Sequence, residues 1–94
     1  MTIRSNNTVC RAPNLAQRLF EGEMLVISSR DSMLHRFNEV GTFIWGELEK
    51  ALTVHTLCAA IANHFEGFDP ARNQSEIATF LAELEKMGLV EISA

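Results

Sequence analysis

Two cysteines and three histidines carry the widest chemical repertoire in this 94-residue chain: Cys10, Cys58, His35, His55 and His64. A nucleophilic thiolate needs an exposed, cationic setting. Cys58 instead falls on the stripe Val54, Leu57, Cys58, Ile61, Ala62 and Phe65, where cysteine acts as a small hydrophobe. Cys10 lies near Arg4 and Arg11, but the spacing places no His or Asp beside it as a base. No histidine heads a His, Cys and carboxylate set at the helical spacing that closes a zinc site. GxxxxGK[ST], GxGxxG and HExxH are all absent. The carboxylates are scattered over helix faces as solvated charges. These residues predict no enzyme, no metal and no cofactor.

The remaining function must come from surfaces. The length is that of one domain, 1–94, and a hydrophobic content of 47% is enough for a core. The N-terminal MTIRSNNTVCRAPN lacks an apolar signal region, and no apolar run reaches the ~20 residues that span a bilayer. Two distant cysteines without CxxC spacing suit a reducing compartment. A cytoplasmic protein with no membrane segment is therefore expected. Charge divides the chain. Residues 1–38 hold five arginines against three acids, net +2; residues 39–94 hold three basic groups against nine acids, net −6.

The elements follow from periodicity and punctuation. Cys10–Pro13 reads as a short first strand, and residues 14–22 fit either a turn of helix or an irregular crossing. Glu23–Ser28 (EMLVIS) and Met33–Phe37 (MLHRF) read as paired strands around the polar turn Ser29–Ser32, although Asn-Gly and Asp-Gly are missing there. Asn38 is a good N-cap for a helix with the stripe Val40, Phe43, Ile44 and Leu48. Gly41 and Gly46 each cost that helix up to ~1 kcal/mol, which implies close contacts on their faces. Thr53 caps a second helix that stops at Gly67. Asp69-Pro70 opens a third, with the stripe Ile77, Phe80, Leu81 and Leu84, closed by Gly88. Leu89–Ile92 is a final strand or extended tail. The predicted class is α+β, with an N-terminal three-stranded antiparallel wing packed on a three-helix bundle, as in a winged helix-turn-helix.

That order raises DNA binding as a rival reading, for a regulator. Residues 70–87 carry Arg72 and Lys86 against Glu76, Glu83 and Glu85, and the second helix has no Lys or Arg. Phosphate neutralisation would have little to work with, so nucleic acid is not expected as a partner. What is left is an edge. The strand Met33–Phe37 carries one charge, Arg36, and no proline, so its outer N–H and C=O groups could accept an extended peptide. A wing that merely covers the helices, or one that forms a homodimer edge, is the plainer alternative.

A resemblance bears on this choice. Phe37–Trp45 (FNEVGTFIW) resembles the leucine-asparagine, x, threonine-glycine, x, x, isoleucine-tryptophan core of the PqqD family, named for pyrroloquinoline quinone (PQQ) biosynthesis. Phe37 replaces the leucine and Val40 the threonine. Thr53–Phe65 and Phe68–Val90 resemble the helices that follow, Glu21–Ile27 the strand before, and the likeness covers about residues 8–92. The resemblance implies a non-catalytic recognition element for ribosomally made, modified peptides. It implies that a precursor's leader peptide adds as a strand along the third wing strand, against the third helix. It also implies presentation to a separate maturation enzyme, often a radical S-adenosylmethionine protein. Carried onto this chain, the peptide would meet Met33, Leu34, His35, Arg36 and Phe37, with Arg72, Ser75, Glu76, Ile77 and Phe80 as candidate groove wall. Arg36 or Arg30 would pair with acidic leader residues. Trp45, Phe43 and Ile44 would be scaffold beneath the wing.

Overall fold

A computed structural model of the chain describes residues 3–28, 30 and 32–94. The expected polar turn lies partly outside the described residues, at Ser29 and Asp31. The elements are β1 (Thr8–Arg11), β2 (Ala16–Phe20), β3 (Glu23–Ile27), β4 (Leu34–Arg36), α1 (Glu39–Glu47), β5 (Leu52–Thr53), α2 (Val54–His64), α3 (Pro70–Lys86) and β6 (Val90–Ser93). They form an α+β fold with two three-stranded antiparallel sheets, ordered β5-β1-β6 and β2-β3-β4.

The sheet β2-β3-β4 stands where the sequence predicts a wing, and its first strand is not the one expected. Residues 14–22 form β2 and a tight hairpin turn in which Glu21 (φ 50°) and Gly22 (φ 80°) both take left-handed conformations. A two-residue turn with both φ positive follows the twist of its strands, and a glutamate in the first position hides the usual Asn-Gly signal. The expected Cys10–Pro13 strand is Thr8–Arg11, and it leaves the wing altogether. Its four residues pair with β6, and Thr8 and Val9 also pair with β5, a two-residue strand without any sequence signature. The C-terminal strand is thereby committed to the second sheet.

The helices begin where their caps predict. Asn38 Oδ1 accepts the Gly41 N–H at 2.9 Å, Thr53 Oγ1 the Thr56 N–H at 3.1 Å, and Asp69 Oδ1 the Ala71 N–H at 3.0 Å, with Pro70 in the first turn of α3. α3 ends at Gly88 (φ 79°), where Leu89 N–H reaches Leu84 C=O and Gly88 N–H reaches Glu85 C=O. That double closure needs a left-handed residue, and it drops Leu89 into the core. In α1 the buried stripe is Gly41, Ile44, Trp45 and Leu48; Val40 is 38% exposed, contrary to the stripe expected. Gly41 sits so close to Phe37 that an added Cβ would lie 3.1 Å from the Phe37 Cβ. Gly46 touches nothing, so its expected close contact is absent.

Core packing and a few hydrogen bonds fix the wing to the helices. Trp45 is fully buried, and its indole N–H donates to Gln17 Oε1 of β2 at 2.7 Å. Arg11 Nε donates to the Trp45 carbonyl at 2.9 Å, and its guanidinium lies 4.9 Å from the ring centroid. Burial lowers the Arg11 pKa, and Glu49 partly offsets this. Both ends of β3 are pinned. At one end Thr42 Oγ1 accepts the Met24 N–H (2.9 Å) and donates to the Phe37 carbonyl (3.2 Å). At the other, the fully buried Ser28 hydroxyl donates to the Met87 carbonyl at the end of α3 (2.8 Å).

Two predictions follow from these contacts. Replacing Thr42 by Val or Ser28 by Ala leaves a half-buried backbone group without its partner, so each variant should lose about 1 kcal/mol in urea unfolding. Replacing Glu21 by Asn suits the left-handed turn, and thermal melting should show stability unchanged or raised by up to ~1 kcal/mol.

Candidate functional site

β4 is the edge of its sheet, and no described strand pairs with its outer side. The register Leu25↔Arg36, Val26↔His35 and Ile27↔Leu34 is framed by two bonds, Phe37 N–H to Met24 C=O (2.9 Å) and Ser28 N–H to Met33 C=O (3.0 Å). In an antiparallel ladder, hydrogen-bonded pairs alternate with non-bonded ones. His35 therefore turns its N–H and C=O inward to Val26. Leu34 and Arg36 turn theirs to the open side. The side chains alternate across the sheet as well. Leu34 (59% exposed) and Arg36 stand on the outer face with Leu25 and Ile27, while His35 shares the inner face with fully buried Val26. His35 Nε2 is buried without a hydrogen-bond partner among the described residues. Met33, just before the strand, is 59% exposed.

Contacts just beyond either end of β4 tie this strand to α3, which runs in the opposite direction. The Phe37 ring meets Phe80 edge-on at 6.1 Å and Trp45 at 5.6 Å. Further along α3, Ser28 reaches the Met87 carbonyl, and Arg30 Nη1 donates to the Lys86 carbonyl at 2.8 Å. Phe80 thus lies level with the end of β4, and Met87 close to its start. With 3.6 residues per turn, the flank that carries Phe80 also carries Asn73, Glu76, Glu83 and Met87.

The candidate wall residues divide accordingly. Glu76 and Phe80 lie on this flank. Ile77 is only 6% exposed and belongs to the core, so it backs the helix and offers no wall; Phe37, 7% exposed, is likewise a base rather than a contact surface. Ser75 is exposed about 100° round the helix from Glu76, with its carbonyl accepting the Thr79 hydroxyl at 3.0 Å. Arg72 is exposed one turn before Glu76. Asn73, Glu83 and Met87 were missed because only their helical spacing from Phe80 marks them, and that spacing is silent until Phe80 is placed.

Charge at the edge differs from expectation. Arg36 forms an ion pair with Glu23 across the outer face of the sheet. Arg30 closes the C-terminus of α3, its guanidinium lying against Gly88. Both arginines expected to meet acidic leader residues are thus engaged within the protein, and the α3 flank offers carboxylates instead. Cys58 is 1% exposed and burial pushes its thiol pKa up, the reverse of an activated nucleophile. Among the described residues no cluster of three or more His, Cys, Asp or Glu could hold a metal, and no helix is long and apolar enough to cross a membrane.

The sequence model of one family, described as "Coenzyme PQQ synthesis protein D (PqqD)", matches residues 23–90, the span from β3 through α3 to the first residue of β6. No curated protein and no solved structure matches the chain. The match takes in the edge strand, the helix flank facing it and both pins that hold β3, and the chain belongs to the PqqD family.

Proposed function

We propose that this protein is a non-catalytic, cytoplasmic peptide chaperone of PQQ or related peptide-derived cofactor biosynthesis. It binds the leader of a ribosomally made precursor as a fourth strand on β4 and presents it to a maturation enzyme, such as a radical S-adenosylmethionine protein. The observation that carries this reading is the outward pair of backbone sites at Leu34 and Arg36, beside the flank of α3. Strand addition draws affinity from main-chain hydrogen bonds and specificity from pockets for alternate side chains. A rigid acceptor loses little entropy on binding, and the pins at Thr42 and Ser28 supply that rigidity. Membership of the family supports a role beside an enzyme rather than as one. The winged-helix likeness supports no DNA-binding reading, because α3 carries Glu76, Glu83 and Glu85 against Arg72 and Lys86.

The ladder distinguishes neighbouring positions sharply. Leu34→Pro removes an outward N–H, which the free protein does not use in its own sheet. It should weaken binding of the leader by about tenfold, whereas Leu34→Ala changes it little. His35→Pro removes an N–H that faces Val26 and should destabilise the protein itself by about 1–3 kcal/mol. Isothermal titration of each variant with a synthetic leader peptide of a PQQ precursor is the test. Equal affinities for Leu34→Pro and Leu34→Ala would refute strand addition at this edge. Hydrogen exchange adds a positional check: on binding, the Leu34 and Arg36 amides should slow, and the His35 amide much less.

A further inference from the structure

Val40, in the first turn of α1, opens on a pocket of about 290 Å³ shared with Ile61, Phe65 and Phe68, and rimmed by Glu66 and Glu76. Glu76 lies about one helical turn, about 6 Å along the axis, from Phe80, which stands level with the end of the edge strand. An extended chain advances about 3.3 Å per residue, so a peptide paired with Arg36 reaches this pocket about two residues later. The pocket lies near the lower end of the size range of ligand sites, about 300–1,000 Å³, and suits a single side chain. Its apolar floor is firm: Phe65 packs edge-on against Phe43 at 5.4 Å and against His64 at 4.7 Å. Val40 keeps 38% of its surface exposed, at a position where the helix stripe would otherwise bury an apolar side chain.

The charge around the pocket selects what enters. Glu66 and Glu76 are both exposed. One Glu76 carboxylate oxygen accepts a long bond from Asn73 Nδ2 (3.3 Å), and no ion pair of Glu66 or Glu76 occurs among the described residues. Glu39 at the start of α1 and Asp69 at the start of α3 add to the negative side; between residues 51 and 85 the sequence has one Lys or Arg, Arg72. We infer that this pocket is an anchor subsite for a bulky apolar peptide side chain flanked by lysine or arginine. The inference rests on the strand-addition reading and extends it from backbone to side chains. A leader matched to this surface is apolar and basic beyond its paired segment, not acidic.

The test separates the two claims. A randomised dodecapeptide display library is selected on the full chain, on Leu34→Pro and on the double variant Glu66→Lys/Glu76→Lys, each first shown to be folded by its circular dichroism melt. Synthetic copies of the recovered peptides are then titrated. Wild-type protein should enrich an apolar residue next to Lys or Arg, and exchanging that basic residue for Glu should weaken binding at least fivefold. The double variant should reverse this preference while remaining sensitive to proline at Leu34. Peptides that bind wild type, fail on Leu34→Pro and show no basic preference would overturn the anchor subsite and leave strand addition standing. Recovery of no peptide, or of peptides indifferent to Leu34→Pro, would overturn both.

Discussion

The arrangement depends on two hydroxyl groups that hold β3 at its two ends. Thr42 links the start of β3 to the end of β4 through one oxygen, and Ser28 links the end of β3 to the last turn of α3. β3 is the central strand of the wing, so fixing it fixes the strand on either side. An acceptor edge has to stay open to be useful, and an open edge carries no partner strand to steady it. The steadying must therefore come from the strand behind. Both hydroxyls lie away from the outer edge, which leaves the Leu34 and Arg36 backbone sites unobstructed by them.

The rest of the core serves the same end. Trp45 joins β2 through Gln17 and meets the ring of Phe37, where β4 turns into α1. The Asn38 cap sits at that transition, and Gly41 allows Phe37 to lie directly against the helix. The C-terminal strand could have covered an edge of the wing, but it pairs with β1 along four residues. The second sheet thus occupies this strand along its whole length.

Electrostatics then sets the character of the groove. The arginines nearest the edge are occupied, Arg36 by Glu23 and Arg30 by the end of α3. Glu76 and Glu83 are exposed on the flank of α3 that carries Phe80. Exposed ion pairs are individually weak, about 0–1 kcal/mol, so in the proposed complex these groups would discriminate among peptides more than hold them.

Local signals in the sequence determined much of this protein. The caps at Asn38, Thr53 and Asp69, the stop at Gly88 and the 3.6-residue stripes placed three helices, because each depends on residues a few positions apart. The runs EMLVIS and MLHRF placed β3 and β4 for the same reason. Tertiary structure alone decided the rest. β2 lacks apolar alternation because its exposed residues lie on a solvated strand, and β5 exists only because β1 offers it partners. Which N–H of β4 faces outward is a matter of register with β3. Which flank of α3 faces the edge is a matter of packing, which brought Phe80 against Phe37 at the end of β4. Sequence spacing reports what a residue's near neighbours require. It does not report which distant surface comes to lie opposite, and the site is made of that opposition.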